Sequence, residues 1–150
     1  MLNSIKKYLK KAKQEAAREY AISPSGREMS ASAQVDETGE EQLPGPWIGV
    51  DLDGTLAYWD SLSSLQSIGE PVPVMMAMVK KMIQNGLRVK IFTARAQDPE
   101  QIPLIQEWLT ANGLPALEIT NVKDYYMQRL YDDRCVQVEK NTGRLITDKD

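Results

Sequence analysis

Apolar side chains fall in short blocks through the later two-thirds of the chain and only thinly before it. Trp47 to Leu52 is an apolar run of strand length, bounded upstream by Pro44-Gly45-Pro46 and downstream by an acidic, glycine-bearing turn. Val74 to Gln84 carries Val74, Met75, Met78, Val79, Met82 and Ile83 on one broad face, and Asn85-Gly86 supplies its stop, so the spacing predicts a helix. Val89 to Phe92 is a second strand. Asp98-Pro99-Glu100 has the order of an N-cap, a first helical residue and a first-turn acid for a helix with Ile105, Trp108 and Leu109, ending at Asn112-Gly113. Pro103 moves the start of its regular part downstream, since a proline beyond the first turn removes a hydrogen bond. Leu117 to Thr120 is a third strand, Asp124 to Leu130 a short helix, and Cys135 to Val138 a fourth strand. Asn141-Thr142-Gly143 turns into a last strand around Leu145-Ile146. Strands and helices alternating in this way predict an α/β fold, with a doubly wound, mostly parallel five-stranded sheet and helices on both faces.

Before Trp47 the pattern changes. Residues 3–20 place Ile5, Leu9, Ala12, Ala16 and Tyr20 at helical spacing among lysines, which predicts a basic amphipathic helix over residues 1–20 with a narrow, alanine-weak stripe. Residues 21–46 are rich in Ser, Gly, Pro, Glu and Gln and have little to bury, so they read as a flexible acidic linker. The globular domain is expected over residues 47–150.

Composition narrows the function classes. The net charge of -3 gives no global attraction to nucleic acid or membrane, although Lys6, Lys7, Lys10, Lys11, Lys13 and Arg18 concentrate positive charge at the start of the chain. No stretch approaches the roughly 20 apolar residues of a membrane span. The start lacks the apolar centre of a secretory signal, and the single Cys135 allows no internal disulfide, so the expectation is a cytoplasmic protein. Cys135 itself reads as a small buried strand residue. Histidine is absent, which removes the commonest general base and zinc ligand and leaves carboxylates, lysines, hydroxyls or a hard metal to carry any catalysis.

The polar residues gather where strands end. Asp51 and Asp53 follow the first strand, Thr93 and Arg95 the second, and Asn121 and Lys123 the third, while Asp132-Asp133 precede the expected fourth. In an open α/β sheet ligands bind beyond the carboxyl ends of the strands. Two carboxylates two residues apart at a glycine turn are costly in a core and suited to Mg²⁺ beside a phosphate. Lysine offers a compact positive charge and threonine a neutral donor, so the set suits phosphoryl transfer. Plainer readings exist for each element: a calcium-like or Asx turn at Asp51 to Thr55, an ordinary turn at Asp132-Asp133, and a local ion pair for Arg95, which is the favoured reading of that residue taken alone. A phospho-acceptor signalling domain would use similar residues, but its phosphorylated aspartate would follow a middle strand and its acidic pair would come early.

Asp51-Leu52-Asp53-Gly54-Thr55, Ile91-Phe92-Thr93-Ala94-Arg95, Lys123 and Asp132-Asp133 resemble the four ordered motifs of the haloacid dehalogenase-like hydrolase superfamily, over about residues 47–140. The run from Lys123 through Asp133-Arg134 to Asn141-Thr142-Gly143 is similar to small members from bacteria and phages, and the aspartate pair followed by Arg134 resembles deoxyribonucleotidases of the superfamily. The resemblance implies a phosphatase with Asp51 as nucleophile, Asp53 as acid and base, and Thr93, Ala94, Arg95 and Lys123 around the substrate phosphate. It implies Mg²⁺ held by Asp51, the backbone carbonyl of Asp53 and Asp133, with Asp132 in support. The segments after Thr55 and between Thr93 and Lys123 are too short for the cap domains of the superfamily, which implies an open site. Tyr58, Trp59, Leu62 and Leu65 could then form a flap beside it or pack on the core. The expected substrate is a phosphorylated small molecule, such as a nucleotide, or a nucleic-acid end. The second expectation is a metal-binding assembly module without turnover, with residues 1–20 docking a protein partner or a second copy.

Overall fold

The computed structural model describes residues 45–146. The expected helix over residues 1–20 and nearly all of the linker expected over 21–46 lie outside the described residues. Four parallel strands form the main sheet: β1 (Trp47–Val50), β2 (Val89–Phe92), β3 (Glu118–Thr120) and β4 (Met127–Tyr131), in the order β3-β2-β1-β4. Helix α1 (Pro73–Gln84) joins β1 to β2, and α2 (Gln101–Ala111) joins β2 to β3 after a 3-10 turn at Ala94–Gln97. The result is a mostly parallel, Rossmann-like α/β arrangement. A separate antiparallel hairpin, β5 (Gln137–Val138) with β6 (Leu145–Ile146), follows. Among the described residues no helix is long and apolar enough to cross a membrane.

Both helices start and stop for local reasons. Pro73 opens α1, where its missing N–H would have no partner in any case. Pro103 is the third residue of α2, still within the first turn, so the helix begins at Gln101 without losing a bond and the expected downstream displacement does not occur. At the far ends Gly86 and Gly113 have φ of 77° and 75°. Leu87 then donates to Met82 O at 3.0 Å and Leu114 to Leu109 O at 2.9 Å, closing both helices with the same left-handed motif.

The main sheet is one strand short of the expected five. Residues 124–130, expected as helix, instead supply β4, because the free edge of β1 offers a complete hydrogen-bond ladder that outweighs a weak helical spacing. Asp124 turns the chain into that strand by accepting from Tyr126 N and from the Trp47 indole, both at 2.8 Å. Asp132-Asp133 therefore follow a parallel strand rather than precede one. The strand expected at Cys135 to Val138 shrinks to β5 in the hairpin, and Cys135 is exposed rather than buried.

Helices on both faces were also expected, and the described residues show them on one. Strand order 3-2-1 with right-handed crossovers places consecutive helices on the same side. Side-chain packing agrees, since Ile48, Val50, Val89 and Ile91 share one core cluster with Met76, Val79 and Met82 of α1 and Ile105 and Leu109 of α2. Trp47 is 1% exposed yet stands outside that cluster, because it belongs to the opposite face. There the Lys90 ammonium lies 4.4 Å from the centre of its ring. A Cβ on Gly49 would come within 3.1–3.3 Å of Leu130, Trp47 and Phe92, so glycine lets these side chains close over the middle of β1.

Ile91 is fully buried in the cluster, whereas Leu62 is 91% exposed. Replacing Ile91 with Ala is expected to lower the unfolding free energy by about 3 kcal/mol through lost transfer energy and a residual cavity. Leu62→Ala should change it by less than about 0.5 kcal/mol. Urea titrations of the two variants beside the parent check both.

Candidate metal and phosphate site

Sequential strands run outward from β1 through β2 to β3, and the chain then returns to the other side of β1 as β4. The order thus reverses between β1 and β4, and a ligand crevice in such a sheet lies at the carboxyl ends of that pair. Asp51 and Asp132-Asp133 follow those two ends. Asp51 N still donates to Tyr131 O at 2.9 Å, so the ladder continues to the edge of the site.

The turn after β1 is shaped by its buried residues. Leu52, Leu56 and Ala57 are fully buried, and the Leu52 carbonyl accepts from Leu56 N at 3.0 Å and Ala57 N at 2.8 Å. With Leu52 and Leu56 drawn inward, Asp51, Asp53 and Thr55 remain at the surface of the turn. Gly54 has φ of 89°, and a Cβ there would stand 2.6 Å from Asp133 Oδ2. The glycine is therefore needed twice, for the left-handed turn and for the seat of the Asp133 carboxylate.

Asp51, Asp132 and Asp133 each offer a carboxylate oxygen, and the three oxygens lie within 4.8 Å of one another. Three like charges this close repel, and the turn withdraws Asp51 from water. Its carboxyl is consequently raised from 3.8 to about 7, by desolvation first and the Asp132 charge second, with Asp133 adding to the shift through a hydrogen bond and its charge. A divalent cation bound by hard oxygens would offset this repulsion and favour the ionised carboxylates. Thr55 ties the two loops together: its hydroxyl oxygen accepts from Asp133 N at 3.0 Å and lies 3.4 Å from both Asp51 Oδ2 and Asp133 Oδ1. The sequence reading left Thr55 out of the site, though a hydroxyl four residues after Asp51 in the same turn was the available signal.

Asp53 points elsewhere. Its carboxylate receives Arg95 Nε at 2.6 Å and Arg95 Nη2 at 2.9 Å, a bidentate pair, and its side chain takes no part in the acidic triad. Arg95 is 4% exposed and faces inward, in line with the local ion pair that was its plainer reading. Thr93, 2% exposed, caps the 3-10 turn by accepting from Arg95 N at 3.2 Å, while Ala94 beside it is exposed. Gln101, also missed, is buried and accepts from Arg95 Nη1 at 2.8 Å.

Lys123 is exposed on the connection from β3 to β4 and makes no hydrogen bond or ion pair among the described residues. It lines a cleft of about 1080 Å³ together with Gly54, Thr55, Asp132 and Asp133. Cys135 lines the same cleft. Its thiol is raised by desolvation and by Asp132, Asp51 and Asp133, with Lys123 opposing, so it is held protonated and is a poor nucleophile. Asp51, Asp132, Asp133 and Lys123 thus act on one place, with Thr93 and the Asp53–Arg95 pair on the neighbouring strand ends.

No known family profile matches the chain, and no curated protein sequence matches it. Among solved structures, a conserved protein coded by a locus of Bacteroides thetaiotaomicron aligns with 62% of this chain and 79% of its own, at 24% identity and a TM-score of 0.48.

The raised Asp51 carboxyl has a pH consequence of definite sign. Between about 4 and about 7 the folded protein keeps a proton that the unfolded chain releases, so this contribution to stability is complete below 3.8 and lost as pH rises to about 7. Without divalent metal, the melting temperature of the parent minus that of Asp51→Asn should fall across this window. Mg²⁺ binding should release protons and tighten with pH over the same range. Thermal melts in EDTA and calorimetric titrations in two buffers of different ionisation enthalpy measure these effects.

Proposed function

We propose that the chain is a Mg²⁺-dependent phosphatase of the haloacid dehalogenase-like type, hydrolysing a phosphomonoester through an aspartyl-phosphate on Asp51. The observation that carries this reading is the meeting of Asp51, Asp132 and Asp133 at the point where strand order reverses, with Lys123 on the same cleft. Mg²⁺, held by Asp51, Asp133 and the backbone carbonyl of Asp53 with Asp132 in support, would neutralise carboxylate and phosphate charge. The Asp133 seat at Gly54 and the elevated Asp51 carboxyl both fit such an ion.

An Asp51 oxygen attacks phosphorus, the bond to the leaving oxygen breaks, and the leaving oxygen gains a proton. Water then attacks the acyl phosphate, loses a proton, and releases inorganic phosphate with Asp51 restored. Asp53 serves as base toward that water, because each of its oxygens keeps a second acceptor site beside the one taken by Arg95. Donating a proton to the leaving group in the first half requires one oxygen to let go of Arg95. Lys123 neutralises the transferring phosphoryl group, and the exposed Ala94, with Thr93 buried next to it, stands at the adjoining strand end for contact with the phosphate. Arg95, fully engaged by protein acceptors, supports Asp53 rather than the phosphate. Tyr58 and Trp59 are exposed, and Trp59 lies 5.8 Å from the guanidinium carbon of Arg95, the partner of Asp53, which suits a substrate with a base to stack, a nucleotide or a nucleic-acid end. A phosphorylated small molecule without a base is the other substrate class this site admits.

A second reading, a metal-binding assembly module without turnover, draws on the occupied state of Asp53. A phosphatase panel run with and without Mg²⁺ separates the two. The expected outcome is Mg²⁺-dependent phosphate release, with a loss on the order of 10³-fold or more in Asp51→Asn and of about 10²-fold in Lys123→Met. Mg²⁺ binding with no release from any substrate would favour the module.

A further inference from the structure

We propose that Arg95 is a positioning residue that makes Asp53 and the loop of residues 58–69 one mechanical unit, so that the carboxylate keeps its place only while the loop is docked. The proposal rests on the phosphatase reading for its catalytic consequence, and its structural half stands apart from it.

A guanidinium buried to 4% exposure must have its charge compensated and its donors satisfied. Asp53 supplies the charge through the bidentate pair. The loop supplies the remaining acceptors: Arg95 Nη1 donates to Leu65 O at 3.2 Å, and Nη2 to Ser64 O at 3.1 Å and Ser67 O at 3.3 Å. Nη2 therefore serves Asp53 and the loop at once. Gln101 completes the hub, accepting from Nη1 and donating from Nε2 to Leu65 O at 3.0 Å.

Beyond the hub, the loop is held by Ile68, which packs against the core at one end, and by short-range hydrogen bonds over Asp60 to Ser63 within it. Tyr58, Leu62 and Leu65 are exposed by 55%, 91% and 55%, so apart from Ile68 its large apolar side chains contribute little burial. Its neck is closed by Gly69, which lies so near the Tyr58 carbonyl that no Cβ fits, and by Trp108 Nε1 donating to Gly69 O at 2.8 Å. Between these points the hub ties down residues 64–67, and Trp59 places its ring 5.8 Å from the guanidinium carbon. A loop whose carbonyls surround the cation that grips Asp53 cannot lift without leaving that buried guanidinium short of three acceptors, and the cation that fixes Asp53 then loses its own seat. Thermodynamic reciprocity requires the converse, that loss of the Asp53 charge loosens the loop. Lysine cannot replace this geometry, since it brings a point charge with three donors in place of a planar fork with five.

The experiment uses the full chain with Arg95→Lys, Arg95→Ala and Asp53→Ala, each checked for parental circular dichroism. Native-state proteolysis reads opening of residues 58–69 independently of activity. All three variants are expected to raise cleavage in the loop by at least about tenfold, as an uncompensated or missing guanidinium leaves it unanchored. In the phosphatase assay Arg95→Lys should lower kcat by on the order of 10²-fold with KM little changed. Millimolar guanidinium should partly restore both loop protection and kcat to Arg95→Ala, and should do neither for Asp53→Ala. The proposal is overturned if Asp53→Ala leaves the loop as protected as the parent, if Arg95→Lys keeps parental protection and kcat, or if guanidinium restores neither property to Arg95→Ala. Should no substrate be turned over by the parent, the phosphatase reading fails, while the proteolysis of the three variants still decides the coupling.

Discussion

Parallel pairing of β4 with β1 is the constraint on which the rest depends. It runs from Trp47 opposite Met127 to Val50 opposite Tyr131, with a register shift after Trp47. That shift fixes which residue of the second loop stands beside which residue of the first. A one-residue slip would turn Asp132 and Asp133 to the wrong sides and empty the seat at Gly54. The hydroxyl of Thr55, bonded to Asp133 N, then locks the two loops at the height at which the three carboxylates meet. Packing of α1 and α2 on one face holds β1 and β2 in place from below, and Trp47, Gly49, Phe92 and Leu130 close together on the other.

The same ends of β1 and β2 divide their charges between two duties. Asp51 faces other carboxylates and is left in want of a cation, whereas Asp53, two residues on, is given an arginine of its own. One turn thus supplies a carboxyl that resists ionisation and a carboxylate that is already paired. Leu52, fully buried between them, is what separates the two directions. For the proposed chemistry this separation keeps the residue that must bond phosphorus apart from the residue that must handle a proton.

Much of this could be read from the residues in order. Asp51 to Thr55 stands out because a carboxylate pair at the end of an apolar strand has no place in a core, and both helix stops at Asn85-Gly86 and Asn112-Gly113 are local signals that the backbone obeys. What was hidden depends on distant partners. Residues 124–130 carry apolar side chains at spacings that suit a helix, and only the open edge of β1 makes them a strand. Residues 135–138 have strand composition, yet they pair with β6 in a short hairpin rather than extend the main sheet beyond β4. The Arg95–Asp53 pair joins residues 42 apart in the chain, and the carbonyls of Ser64, Leu65 and Ser67 carry no side-chain signature at all.

The position of β4 has a consequence for how the molecule comes into being. During synthesis β1, β2 and β3 with their two helices emerge first and can associate through connections of ordinary length, whereas β4 must find the edge of β1 across nearly the whole intervening chain. Contacts of such separation carry the largest loop-closure cost and form late. Until then β1 presents an unpaired edge, Asp51 stands without its companion carboxylates, and the acidic triad does not exist. Assembly of the triad thus reports completion of the sheet, and a cation captured there would act as a clasp on the last strand to join.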